Sequence, residues 1–190
     1  MRQRIFLIAM CFLMVAGCSS TPPKNRNDIC SIFEQKRGWR DDARDASKRW
    51  GTPVHVMMAI LKHESSFRAR AKPPRKKYLG FIPGPRASSA YGYPQALDGT
   101  WDGYKRDTGR RWADRDDFDD AIDFVGWYTS VSSRKLGISK SDTYSQYLAY
   151  HEGQGGYARG TYKRKRWLKN YAKQVQKTSN RYAAQLQRCG

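Results

Sequence analysis

Glu64 is the residue of this sequence whose surroundings best suit acid–base chemistry. It lies in the run Thr52–Phe67, where Thr52 can cap a helix and Pro53 fits the first helical position. The apolar stripe of this helix, at the i, i+3, i+4, i+7 spacing, consists of Val54, Met57, Met58 and Leu61. Glu64 falls on the flank of that stripe, where a carboxyl group keeps its proton to higher pH, as a general acid requires. The competing interpretation is a glutamate that extends into solvent from a helix end.

A zinc site is the first alternative, because His63-Glu64 begins like the H-E-x-x-H motif of zinc proteases. The second histidine of that motif would fall at Phe67, and His55 lies two turns further back along the helix. His151-Glu152 is followed by glycines and offers no second ligand. The ligand spacing that zinc requires is therefore missing, and we expect neither a metal nor another cofactor.

Helical patterns cover most of the chain and must position Glu64. Asp28 can cap a short helix that stops at Gly38, and Asp116 can start a long one that stops at Gly137. Three further helices are predicted around residues 39–50, 141–151 and 167–186, the last with the stripe Trp167, Leu168, Tyr171, Val175, Thr178, Tyr182 and Leu186. Residues 68–90 are rich in proline and basic side chains and are predicted to be irregular.

Three motifs follow one another along the chain. They are Glu64-Ser65-Ser66-Phe67, then Gly92-Tyr93-Pro94-Gln95-Ala96 with Thr100-Trp101, and finally Tyr150-His151-Glu152-Gly153. In this order they resemble the soluble lytic transglycosylase (SLT) domain, whose pattern runs E-S-x-F, G-L-M-Q, T-W or a similar pair, and Y-N-A-G. His151 and Glu152 replace the asparagine and alanine of the third motif, which leaves the role of His151 open.

The resemblance implies a mainly α, lysozyme-like single domain of the SLT or goose-type lysozyme kind. Members of that family cleave the β-1,4 bond between N-acetylmuramic acid and N-acetylglucosamine in peptidoglycan. One glutamate, matched here by Glu64, protonates the glycosidic oxygen and then deprotonates the muramic acid 6-hydroxyl, which gives a 1,6-anhydro product without a metal. The positions assigned to substrate binding are Ser65, Tyr93, Gln95, Tyr150, His151 and Glu152.

Two other functions remain possible from the sequence. A muramidase that transfers to water normally needs two carboxylates, and the candidates for the second are Asp98, Asp102 and Glu152. Asp98 is more simply a cap or turn residue. A non-catalytic peptidoglycan-binding lipoprotein would need only the groove, its aromatic side chains and positive charge, and would not require Glu64.

The N-terminus predicts export. Arg2 and Arg4 precede an apolar run that is too short to span a membrane, so residues 1–17 are predicted to be a signal peptide. The sequence Val15-Ala16-Gly17-Cys18 resembles the lipobox of bacterial lipoproteins, which implies lipid on Cys18. Residues 18–26 would then be a tether and residues 27–190 the enzymatic domain. We expect a monomeric lipoprotein of the cell envelope, on the outer membrane and facing the periplasm.

The remaining cysteines and the charge agree with that compartment. Cys11 would leave with the signal peptide and Cys18 would carry lipid, so Cys30 and Cys189 remain as a disulfide pair. The alternative is two unrelated buried thiols. The net charge of +19 indicates anionic partners, and for an exported protein these are lipid headgroups and cell-wall polymers rather than nucleic acid.

Overall fold

The computed structural model describes residues 21–189, and most of these residues are helical. The elements in chain order are α1 (Ile29–Gln35), α2 (Trp39–Trp50), α3 (Val54–Ser65), β1 (Arg75–Tyr78), β2 (Ile82–Arg86), α4 (Asp98–Thr108), α5 (Phe118–Leu136), α6 (Thr143–Ala158), a 3-10 helix (Thr161–Arg164) and α7 (Arg166–Cys189). The prediction of a mainly α fold is confirmed.

Helix α5 forms the centre of the core, and nearly all of its first fifteen residues are buried. Helices α2, α3 and α6 pack against it, and α7 covers α3 and α6. The predicted start at Asp116 was wrong by two residues. Asp117 caps the helix by accepting a hydrogen bond from the Asp120 amide, whereas Asp116 contacts Arg70 and Tyr91 instead. Gly137 ends the helix in the left-handed conformation, as predicted.

Helix α3 passes through the core, so its residues from Val56 to Leu61 are all buried. The predicted cap at Thr52 was wrong, because the Thr52 hydroxyl lies 2.8 Å from that of Thr129 and Pro53 occupies the cap position. At the other end Ser66 adopts a left-handed conformation, and its amide donates to the carbonyl of Lys62 at 2.9 Å. Glu64 therefore lies in the last turn of a firmly held helix.

Residues 68–90 contain a β-hairpin, which the sequence did not predict. β1 and β2 are antiparallel, with Lys77 opposite Pro83 and Tyr78 opposite Ile82. Of β2 only Gly84 is buried, so these strands have no apolar face directed at the core. Periodicity could not reveal them, because an alternating pattern arises only where one face of a strand is buried.

Two later helices differ from the prediction in detail. Helix α6 continues beyond His151 to Ala158, with a non-helical break at Gly153. Helix α7 buries much of its predicted stripe, but the Trp167 side chain, which begins that stripe, is 58% exposed.

A disulfide joins the first and last helices, α1 and α7. Cys30 and Cys189 form a disulfide, as predicted, across a sequence separation of 159. Part of the predicted tether is bound to the domain, because Pro23 is buried and the Lys24 amide donates to the Gln35 side chain at 2.9 Å. The predicted signal peptide and Cys18 lie outside the described residues. Within residues 21–189 no helix has the length and apolar character needed to cross a membrane.

Candidate active site

A cleft of about 450 Å³ opens between the end of α3, the loop before α4 and the middle of α6. Its lining includes Glu64, Gln95, Tyr150, His151 and Glu152. The three motifs, which are far apart in sequence, therefore converge on one site. A larger cavity of about 590 Å³ lies elsewhere and includes Tyr93 but none of these five residues, so volume alone does not identify the site.

Glu64 has the environment of a general acid. Its side chain is partly buried in the cleft wall, and this burial raises the pKa of Glu64 to about 7. A hydrogen bond from Tyr147 acts in the opposite direction by stabilising the carboxylate. At neutral pH Glu64 therefore populates both protonation states, which is the condition for donating a proton and later accepting one.

Tyr147 was not among the predicted site residues. It lies on α6, one turn before Tyr150, and its hydroxyl bonds to the Glu64 carboxyl. Burial and the negative charge of Glu64 raise the pKa of Tyr147 above its ordinary value, so this hydroxyl stays protonated and donates. The signal that could have found it is the i, i+3 spacing from the tyrosine of the third motif.

Tyr150 connects the second and third motifs. Its hydroxyl donates to the carbonyl of Pro94 at 2.7 Å, and its ring packs edge-on against Phe124 and Tyr128. Burial and the nearby Glu64 raise the pKa of Tyr150 well above its ordinary value. Tyr150 is therefore a neutral donor that fixes the loop beside the acid.

The loop of the second motif is held by backbone contacts. Gln95 has a positive φ of 51°, and its side-chain amide donates to the carbonyls of Ala71 at 3.0 Å and Gly92 at 2.8 Å. Gly92 has a φ of 77°, and a Cβ there would lie 2.1 Å from the Arg115 carbonyl oxygen. Only glycine fits that approach. The Arg115 guanidinium also holds this loop, because it donates to the Ala96 carbonyl at 2.9 Å.

Glu152 is the other carboxyl group in the cleft lining, and its side chain is bound to its neighbours. Lys165 donates to its two oxygens at 2.7 and 3.0 Å, and Thr161 and His151 also contact it. Burial favours the neutral carboxyl, but these hydrogen bonds outweigh it and lower the pKa of Glu152 to about 2. Glu152 is therefore ionised at all physiological pH values.

Gly153 explains why α6 changes direction at the cleft. Its φ of 72° and ψ of 156° belong to a region that is essentially restricted to glycine. Immediately before this break His151 is exposed, and its ring meets the edge of Trp167 at a centroid distance of 5.2 Å. His151 thus forms part of the polar cleft wall.

Two of the residues predicted to bind substrate, Ser65 and Tyr93, lie outside the lining of this cleft. Ser65 is buried, and its hydroxyl donates to the Leu61 carbonyl at 3.3 Å. Tyr93 packs between Trp39 and Phe118, outside the cleft. Both residues support the fold rather than contact a ligand in this cleft.

The aspartates considered as second acids also lie outside the cleft lining. Asp98 is the first residue of α4, with Leu97 at the cap position, and it pairs with Arg115 at 2.8 Å. Asp102 pairs with Lys105 at 3.2 Å on the same helix. The cap or turn interpretation of Asp98 was therefore close, although the cap itself is one residue earlier.

The histidines of α3 have structural partners on α7. His63 lies 2.9 Å from the Thr178 hydroxyl and His55 lies 2.8 Å from that of Ser179. Burial, with a contribution from Lys62, lowers the pKa of His63 to about 4. Across residues 21–189 no group of three His, Cys, Asp or Glu side chains is arranged to hold a metal ion.

A family model for the transglycosylase SLT domain matches residues 6–189. The match includes all three motifs and both cysteines of the disulfide, and the chain belongs to this family. Membership assigns it to the lytic transglycosylases, whose substrate is the glycan of peptidoglycan in the cell envelope. No curated protein and no solved structure matches the chain.

Proposed function

We propose that this protein is a peptidoglycan lytic transglycosylase in which Glu64 is the sole catalytic acid and base. The observation that carries this proposal is the partly buried position of Glu64 at the point where the three motifs meet, which raises the pKa of Glu64 to about 7. A residue with that pKa can serve in both protonation states near neutral pH.

In the first step protonated Glu64 donates its proton to the glycosidic oxygen between N-acetylmuramic acid and N-acetylglucosamine. The bond from that oxygen to C1 of the muramic acid breaks, and positive charge develops at C1. Glu64 becomes a carboxylate, which the Tyr147 hydroxyl stabilises by its hydrogen bond.

In the second step the Glu64 carboxylate accepts the proton of the muramic acid 6-hydroxyl. The oxygen of that hydroxyl forms a bond to C1 and closes a 1,6-anhydro ring. Glu64 returns to its protonated form, and no water is consumed. One residue thus performs two proton transfers, for which a pKa near the working pH is most effective.

A two-carboxylate muramidase is the main competitor, and Glu152 would have to be its second acid. The oxygens of Glu152 accept hydrogen bonds from Lys165, Thr161 and His151, and its pKa of about 2 makes it a weak base. This arrangement argues against Glu152 as the group that activates water. A non-catalytic binding protein would gain nothing from a carboxyl that is hard to ionise, because such a group disfavours folding at neutral pH.

The other site residues have supporting roles in this proposal. Gln95 and Tyr150 hold the loop beside Glu64, and His151 and Glu152 form a polar wall for the glycan.

We further propose that Cys18 carries lipid and that the monomeric protein faces the periplasm from the outer membrane. If Cys18→Ser protein is still processed and still partitions with membranes, the lipid attachment is wrong.

The products of digestion test the mechanism directly. Purified peptidoglycan treated with the protein should release fragments that are lighter by one water than hydrolysis products and that lack a reducing muramic acid, as measured by mass spectrometry. Reducing muramic acid ends would identify a muramidase. Absence of any release, with binding to peptidoglycan retained, would favour the non-catalytic alternative.

A further inference from the structure

The tip of the β-hairpin is the largest concentration of exposed apolar side chains in the described residues. We define the hairpin tip as residues 78–82. Its exposed fractions are 54% for Tyr78, 82% for Leu79, 73% for Phe81 and 44% for Ile82. The other large apolar residues that are exposed, such as Trp112, are isolated from one another in the sequence. Isolated exposed apolar residues are normal, but a contiguous group indicates a contact with something outside the domain.

The backbone of the tip gives no structural reason for this composition. Leu79 has a φ of 50° and Gly80 a φ of 78°, so both are in the left-handed region. Asparagine, aspartate or glycine is the usual choice for such turn positions, and a bulky aliphatic residue is disfavoured there. With 82% of its surface exposed, Leu79 gains little from packing within the domain.

The base of the hairpin is positively charged. Residues 68–90 contain no aspartate or glutamate, and Arg75, Lys77 and Arg86 are exposed. In an anionic bilayer the phosphates lie outside the acyl chains. An apolar tip with basic residues at its base suits this interface, because the tip can reach the acyl chains while the basic residues stay near the phosphates. Within the tip, Tyr78 carries an aromatic ring with a polar hydroxyl, which suits the boundary between headgroups and acyl chains.

The N-terminal end of the described chain meets the hairpin at its base. Pro22, Arg68 and Arg86 line one shallow pocket of about 440 Å³. Pro23, the residue after Pro22, is buried. The predicted lipid site at Cys18 is four residues before Pro22. Four residues reach at most about 13–14 Å when extended. A lipid on Cys18 would therefore hold the hairpin side of the domain at the membrane surface.

We propose that the hairpin tip inserts into the interfacial region of an anionic lipid bilayer and forms a second attachment of the domain to the membrane. Ser88 and Ala90, which follow β2, line the catalytic cleft. Insertion of the tip would fix the orientation of the cleft relative to the bilayer, which a lipid on a short linker cannot do alone. This membrane contact is separate from the proposed catalytic mechanism.

Vesicle binding by protein without the lipid tests the proposal. The chain from residue 19 onward keeps the disulfide and the whole described core. It should co-sediment with vesicles of phosphatidylglycerol and phosphatidylethanolamine, bind less at high salt, and bind weakly to phosphatidylcholine vesicles. Phe81→Trp protein should also show added fluorescence that is quenched by lipids brominated on their acyl chains.

Matched variants distinguish binding through the hairpin tip from binding through exposed apolar or basic residues elsewhere on the surface. Leu79→Ser with Phe81→Ser should weaken partitioning by about tenfold or more, because two apolar side chains lose their transfer into lipid. Trp112→Ser should leave partitioning unchanged. Arg75→Ser with Lys77→Ser should weaken it by roughly fivefold per charge. The exposed pair Lys173→Ser with Lys177→Ser should have a much smaller effect.

Three results would overturn the proposal. They are no binding of the parent protein to anionic vesicles, equal partitioning of the Leu79/Phe81 variant and the parent, or a loss by that variant of peptidoglycan binding with vesicle binding intact. The last result would place the tip on the glycan instead. Equal thermal unfolding of parent and variant, and equal turnover of soluble glycan fragments, would show that the fold and the cleft are unaffected.

Discussion

Glu64 and Glu152 line the same cleft, and their surroundings give them opposite proton affinities. Burial dominates at Glu64 and raises its pKa to about 7. At Glu152 the side chain is also buried, but hydrogen bonds from Lys165, Thr161 and His151 reverse the effect and lower its pKa to about 2. Burial alone therefore does not make a general acid. The deciding difference is whether a cation accompanies the buried carboxylate.

The two glutamates also differ in how the backbone presents them. Glu64 lies in the last turn of α3, whose residues before it are packed in the core. Glu152 directly precedes the break at Gly153. Lys165, which follows the 3-10 helix, forms an ion pair with the Glu152 carboxylate. The rigid helix end supports the group that must react, and the irregular segment supplies the group that stabilises a charge.

The largest expected effect is on turnover in Glu64→Gln. The glutamine keeps the size of the side chain and removes its proton, so release of peptidoglycan fragments should fall by at least about 10²–10⁴-fold. Binding to insoluble peptidoglycan should remain. The exposed Glu34 provides the control, because Glu34→Gln makes the same chemical change away from the cleft. Turnover within tenfold of the parent would remove Glu64 from its proposed role.

The same substitution should stabilise the protein, but only at higher pH. Below about pH 4.5 the carboxyl is protonated in both the folded and the unfolded chain, so Glu64→Gln should change nothing. As pH rises from 4.5 to 7, the folded protein retains a proton that the unfolded chain releases, and the parent loses stability. Above pH 7 Glu64→Gln should raise the free energy of unfolding by about 1–3 kcal/mol.

Denaturant unfolding of both proteins at several pH values measures this gain. A pH-independent difference between them would mean that the pKa of Glu64 is not raised in the folded state. Glu34→Gln again serves as the control and should leave the free energy of unfolding unchanged at every pH.

Glu152→Gln should show the reverse pattern, with a modest effect on turnover and a loss of stability. Its charge pair with Lys165 would be broken while the shape is kept, so the free energy of unfolding should fall by about 1–3 kcal/mol. Turnover should fall by less than about tenfold. If Glu152→Gln is as damaging to turnover as Glu64→Gln, the two-carboxylate muramidase is the better mechanism.

Local pattern was enough to find Glu64 and the direction of its pKa shift. The helix of residue 64 is mostly apolar and is buried from Val56 to Leu61, and a carboxyl in its last turn is partly buried for that reason. Ser65 was assigned to the site because it adjoins Glu64 in the motif. Successive helical residues are rotated by about 100°, so Ser65 faces the core instead.

Contacts between elements that are distant in the chain could not be predicted in the same way. Lys165 contacts Glu152 after the helix breaks at Gly153 and the chain changes direction. The spacing of apolar residues in the sequence does not predict that change of direction. The bond between Tyr147 and Glu64 depends on how α5 and α7, which contact both helices, place α6 beside the end of α3. The hairpin lacked a buried face and so left no alternating pattern.

Tyr147→Phe should shift the pH dependence of turnover upward. Removing the hydroxyl takes away a hydrogen bond that stabilises the Glu64 carboxylate, so the pKa of Glu64 rises further. The fall in kcat/KM at alkaline pH should then move upward by roughly one pH unit. Tyr144→Phe, on the same helix, is the control. An unshifted limb with reduced turnover would show that Tyr147 acts only through packing.

His151→Ala should have the smallest effect. The exposed ring contacts the edge of Trp167 and the Glu152 carboxylate, and neither contact is part of the proton transfer by Glu64. Because Lys165 and Thr161 still hold Glu152, kcat/KM should fall only severalfold, through weaker glycan binding seen as a higher KM with kcat little changed. The pH profile should keep its shape and its alkaline limb. Loss of one limb of that profile in His151→Ala would instead identify the histidine as a proton donor or acceptor. Glu64 would then not be the sole acid and base, and His151 would be more than a polar residue of the cleft wall.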